Sequence, residues 1–146
     1  MSREDNLLGK WIAILHRYRK NYVNRQLESY GLSGEQFIIL LALSHHDGAS
    51  QEEISGVLKI DKTTTAKAIK RLEGSNYICR TKNSSDARAY HVFLTQKALT
   101  IIPLIRQTVK NWEQEVTFGF SKEEYRAMEA ALQKMAENAC RLCSTE

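Results

Sequence analysis

Five polar side chains within one short stretch could do chemistry together: Thr63, Thr64, Lys67, Lys70 and Arg71. Hydroxyls and amines on one exposed helix face can donate to phosphates and to base edges. Their neighbours Thr65, Ala68, Ile69 and Leu72 repeat at helical spacing and belong to a core. The segment is therefore expected to be a helix with one packed face and one polar face, with Lys62 at its start. Downstream, Arg80, Lys82, Asp86 and Arg88 surround the turn cluster Asn83-Ser84-Ser85-Asp86, between β-prone runs at 77–82 and 88–94. A basic hairpin tip can be a solubilising edge. It can also reach a minor groove, whose negative potential attracts Arg. A charged helix face is often only solvated. Three successive Thr are poor helix formers, however. On a free surface they would be a needless cost, which favours use at a groove.

The elements that must position these residues can be read outward from them. Ser50 and Glu53 form a capping box that opens a helix at 51–58. Asp61 then N-caps a helix at 62–74, where its charge suits the positive end of the dipole. A short capped helix, a tight turn, a second helix and a hairpin make a helix-turn-helix with a β-wing, a shape that lies on duplex DNA. Ser50 and Gln51, at the start of the first of these helices, join the candidate DNA-contacting residues. Residues 6–30 are expected to form one long helix. Leu8, Trp11, Ile12, Leu15, Tyr18, Tyr22 and Val23 mark one apolar edge, and Leu7, Ile14 and Leu27 a second. One compact monomer cannot cover both edges, so part of this helix is expected to meet a partner chain. Gly31 stops it, and Ser33 with Gln36 suggests a capping box for a buried central helix from Phe37 through Leu43. Residues 45–48 read as a turn. Thr95 caps a helix running to about Val116, which Pro103 should bend. Ser121 with Glu124, and Phe120 with Tyr125, open a last helix running to about Leu142. Tyr125, Met128, Leu132 and Met135 form its stripe.

The chain has 146 residues, the length of one domain, and a net charge of only +4. The distribution of charge says more. Lys59 to Val92 holds eight bases against three acids, so this segment alone exceeds the surplus of the whole chain. A local basic patch on a winged helix is the electrostatic footprint of a nucleic-acid partner. The polar start SREDN and the absence of any apolar run near ~18 residues argue against a signal peptide or a membrane span, so a cytoplasmic location and no membrane partner are expected. Three cysteines are an odd, sparse set with no disulfide framework, which suits a reducing compartment. There is no glycine-rich phosphate loop, nucleophile elbow or HExxH, and the acids are scattered among bases. Neither enzymatic activity nor a cofactor is expected.

The chain resembles the multiple-antibiotic-resistance regulator (MarR) family of bacterial transcription factors over nearly its whole length. The resemblance rests on an ordered set: LSGEQF at 32–37, SQEEIS at 50–55, Asp86-Ala87-Arg88 in the wing, and FLT at 93–95 before another helix. Two positions depart from the family pattern. Asn76 stands where Gly usually ends the recognition helix, and Asn tolerates a left-handed cap; Ala98 stands where Gly is frequent. The resemblance implies a mainly α fold with a small β-wing. It implies one domain over 1–146, with a winged helix-turn-helix at 33–94 and dimerisation helices at 6–30 and 95–143. It implies a homodimeric repressor on a pseudo-palindromic duplex, responsive to a small aromatic or phenolic effector. It implies that Asp86 pairs with and orients Arg88. In the family such effectors bind between the dimer helices and the winged helix. His16, Arg19 and Tyr22 could hold their carboxylate, or could be a polar helix face with one core Tyr.

Cys140 and Cys143 have CxxC spacing. A thioredoxin-type pair sits at a helix N-terminus, where the dipole favours a thiolate, and this pair sits at a C-terminus. A structural zinc site needs four ligands, which only His45, His46 or a partner's cysteines could complete. Small residues packing near a dimer end and a thiol- or metal-responsive regulator are both open readings, and no metal site is expected from the chain itself.

Overall fold

The computed structural model describes residues 7–83 and 86–144, with the backbone alone at 83 and 86–89. In chain order, helices α1 (Leu8–Leu27), α2 (Gln36–His45), α3 (Gln51–Leu58) and α4 (Lys62–Gly74) precede strands β1 (Ile78–Asn83) and β2 (Asp86–Leu94). Helices α5 (Gln96–Val116) and α6 (Lys122–Cys143) follow. The chain divides into two compact units, Met1–Trp112 and Glu113–Glu146.

In the first unit, α1 stops at Leu27, short of the expected residue 30. The chain tightens into one 3₁₀ turn, Glu28–Tyr30, closed by the Gly31 N–H donating to the Glu28 carbonyl at 3.0 Å. Gly31 takes φ 71°, the left-handed stop that its missing Cβ permits. Only half of the Ser33–Gln36 box forms. The Ser33 N–H donates to Gln36 Oε1 at 3.0 Å, but the helix opens on Glu35, with no side-chain cap bond. Gly34, at φ 61°, turns its N–H onto Asn24 Oδ1 at 3.1 Å, which takes the loop away from capping geometry.

Helix α2 is the centre of this unit. Its Phe37, Ile39, Leu40 and Leu43 are buried, and it packs on α3, α4 and β2. From α5 the core receives Ala98, Ile101 and Ile105; from α1 it receives Val23 and Leu27. The hairpin ladder is antiparallel and regular from Ile78↔Leu94 to Lys82↔Tyr90, then breaks between Lys82 and Asn83. Residues 48–50, expected as the end of a turn and the cap of the next helix, lie alongside β2. The Gly48 N–H donates to the Val92 carbonyl and the Val92 N–H to the Ala49 carbonyl, each at 2.9 Å. A Cβ at Gly48 would stand 2.8 Å from the Phe93 ring at a φ of 86°, so the close approach of this segment to β2 needs glycine.

Asn76 takes φ 62°, as expected of the residue replacing Gly at the end of α4. The Tyr77 N–H returns to the Leu72 carbonyl at 2.9 Å and closes the helix end. In the second unit, α6 opens on the expected capping box, with the Ser121 hydroxyl and the Glu124 carboxylate each accepting the other's backbone N–H at 3.1 Å.

Candidate nucleic-acid interface

Helix α4 buries Thr65, Ala68, Ile69 and Leu72, the face that periodicity assigned to the core. Thr63, Lys67, Lys70 and Arg71 are exposed on the rest of the helix, and among the described residues no carboxylate lies within ion-pair distance of these three cations. Asp61 caps the helix as expected: one carboxylate oxygen accepts the Thr64 N–H at 2.8 Å. The other accepts the Thr64 hydroxyl at 2.7 Å, and the Thr65 hydroxyl donates to the Asp61 carbonyl at 2.9 Å.

This corrects the reading of the three threonines. Thr64 and Thr65 are explained by the helix start itself, and of the three only Thr63 offers an exposed hydroxyl with no partner among the described residues. Thr64 can still accept a hydrogen bond from a base, but its proton is spent on Asp61.

The Thr64 hydroxyl first, then the Thr64 N–H, hold the Asp61 carboxyl below its ordinary value. A group depressed in the folded chain contributes stability above its unfolded range and loses it as pH falls through the folded value. Asp61→Ala should therefore lower the melting temperature at neutral pH, and the gap to the parent chain should close on acidification. A gap that persists unchanged at acid pH would show that the carboxylate does not hold this turn.

At the start of α3, the Ser50 hydroxyl accepts the Glu53 N–H at 3.1 Å and donates to Glu53 Oε1 at 3.2 Å. Ser50 and Gln51 are half-buried, at a helix end whose first N–H groups have no partner in the helix. Lys62 lies 3.6 Å from Glu52 with both side chains mostly in solvent, a pair that adds little.

Arg80 departs from expectation. Its guanidinium forks onto Glu73, with Nε at 3.0 Å and a terminal nitrogen at 2.9 Å from the two carboxylate oxygens. It also lies 5.3 Å from the centre of the Tyr90 ring, and Lys82 Nζ stands 5.9 Å from the same ring. Hydrogen bonding to Arg80 lowers the Glu73 carboxyl, and the same bonds raise Arg80. Arg80 thus ties the last turn of α4 to the hairpin and is not a free cation. Lys82 is exposed, while the side chains of Asp86 and Arg88 lie outside the described residues.

His16, Arg19 and Tyr22 all lie on α1. His16 is exposed, the Arg19 guanidinium lies 5.6 Å from the Phe37 ring centre, and the Tyr22 ring meets Trp112 at 5.7 Å. Cys140 is half-buried and 3.9 Å from the Ser144 hydroxyl, and Cys143 is exposed. Among the described residues no three His, Cys, Asp or Glu side chains gather as a metal site, and no helix is long and apolar enough to cross a membrane.

Comparison with known proteins agrees with this architecture. The MarR family model matches residues 32–90, from just before α2 into the second wing strand. A MarR transcriptional regulator from Methanosarcina mazei Go1 superposes with a TM-score of 0.85 at 36% identity, over 92% of this chain and 97% of that one. A MarR family regulator from Listeria monocytogenes, complexed with a 26mer DNA, superposes with a TM-score of 0.86 at 28% identity, over 91% of this chain and 89% of its own. The HTH-type transcriptional regulator YwoH of Bacillus subtilis is 31% identical over 104 residues, which are 71% of this chain and 75% of that protein. With its helix-turn-helix, its two-stranded wing and these relatives, the chain belongs to the MarR family of transcriptional regulators.

Proposed function

We propose that this protein is a cytoplasmic, homodimeric repressor that binds a pseudo-palindromic DNA duplex and is released by a small aromatic or phenolic effector. The observation that carries the reading is the unpaired polar face of α4, with Thr63, Lys67, Lys70 and Arg71 in solvent and a capped, well-packed helix behind them. Each α4 enters a major groove. The wings, with Lys82, Asp86 and Arg88, reach the flanking minor grooves. Residues 33–94 form the reading part, and 6–30 and 95–143 the dimerisation helices. The dimer is supported by α1, where Leu8, Trp11, Ile12, Leu15 and Tyr18 stand exposed along one helix, Trp11 by 53%. A contiguous apolar surface of that kind marks an interface.

The titration of a labelled duplex at several salt concentrations tests the reading. Affinity should fall steeply with salt, by the release of one counterion for each phosphate neutralised. Sedimentation at micromolar concentration should give about twice the chain's 16.7 kDa. A stable monomer, or binding indifferent to salt, would contradict the proposal.

A further inference from the structure

Within the reading part, α2, Ala49 and α3 line a half-open cavity of about 310 Å³. That is near the lower bound of small-molecule sites, ~300 Å³, and suits a single ring. Its walls are apolar: Ala42, Ala49, Ile54 and Val57. Val57 is 61% exposed at its lip, so the fold of this chain gains little from it.

Gly56, on the same wall, has no structural reason to be glycine. It lies inside α3, its φ is not in the left-handed region, and a Cβ there would meet nothing within 4 Å. Glycine in a helix interior is unfavourable without such a reason. What its absent side chain leaves is open space at the cavity.

Its polar lining consists of His46 and Glu53, and among the described residues no Lys or Arg lines the cavity. Among the described residues only one carboxylate oxygen of Glu53 is engaged, by the Ser50 hydroxyl at 3.2 Å.

We propose that this cavity binds a small amine with an apolar ring, its ammonium group on Glu53 and its ring against Ala42, Ile54 and Val57, and that it refuses aromatic carboxylates. It is a different site, with the opposite charge preference, from the one His16, Arg19 and Tyr22 would form. Occupation acts on the start of α3, because the Glu53 carboxylate that meets the ammonium group also holds the Ser50 cap. This consequence for DNA, though not the site, rests on the proposed function.

The full chain, without DNA, is titrated with benzylamine and benzoate while the Gly56 and Val57 amides are followed by NMR. Benzylamine should shift both amides saturably, with a Kd in the millimolar range suited to a fragment, and about tenfold or more tighter than benzoate. Glu53→Gln should abolish that preference, and Gly56→Leu should abolish binding without lowering the melting temperature. Equal binding of the two compounds, undiminished binding by Gly56→Leu, or no saturable shift at these amides would each overturn the site. Duplex affinity with and without benzylamine is a separate arm. A weaker duplex affinity with the amine supports the coupling, and an unchanged one overturns it. A protein that binds no duplex even without amine sinks the DNA reading and leaves the cavity result standing.

Discussion

Lys67→Ala is expected to relax base preference at one position per half-site, at a cost of ~1–3 kcal/mol where a good base contact is lost. Lys70→Ala and Arg71→Ala should behave differently. Each should weaken binding to all sequences alike and lower the salt slope by about 1. The division follows from the helix itself. Its buried residues fix the direction of the core, and Lys67 lies nearer the capped start that enters a groove first, while Lys70 and Arg71 lie in later turns. Thr64→Ala belongs to neither class, because its hydroxyl is committed to Asp61. That variant should act by loosening the cap. Competition across single-base duplex variants at two salt concentrations separates the classes. Uniform loss for all three cations would mean that α4 does not read bases and that specificity comes from DNA shape.

Arg80→Met should weaken duplex binding without changing its salt slope, whereas Lys82→Ala should lower the slope by about 1. Both residues look like equivalent wing cations in the sequence. In the structure Arg80 is a brace, forked onto Glu73 and lying on Tyr90. Its loss frees the hairpin to move against α4 and removes no phosphate contact. Glu73→Gln should mimic it, and the double variant should be no worse than either single one, as expected of partners acting as a pair. The pair's side chains are about a third exposed, so its contribution to stability should stay within ~1 kcal/mol. A lower salt slope for Arg80→Met, with tighter binding by Glu73→Gln, would show instead that Glu73 withholds a phosphate-binding Arg.

Much of the fold was legible because it is written in local periodicity. Four buried positions at helical spacing oriented α4, and Asp61 and Ser121 sit where caps must sit. Asn76 in a left-handed turn followed from the tolerance of that residue type. What escaped the sequence depends on geometry between elements. Nothing local links Glu73 to Arg80, which come together only because the Asn76 turn folds β1 back along α4. Nothing local assigns residues 48–50 to a sheet either, since their partner, Val92, lies more than forty residues away. The threonine run escapes for a different reason: the hydrogen bonds that Thr64 and Thr65 make at the cap offset a poor helix propensity that is scored residue by residue. The contacts of Arg19 with the Phe37 ring and of Tyr22 with Trp112 are likewise made between elements, and nothing local in α1 announces them.

Selection of bound duplexes from a randomised pool tests the central claim most directly. An enriched pseudo-palindrome is expected, with half-sites about one helical turn apart, ~10 bp. Its preference should be relaxed at a single position per half-site by Lys67→Ala. A pool that shows no enriched palindrome, or one whose preferences survive the loss of Lys67 and Thr63 together, would contradict it.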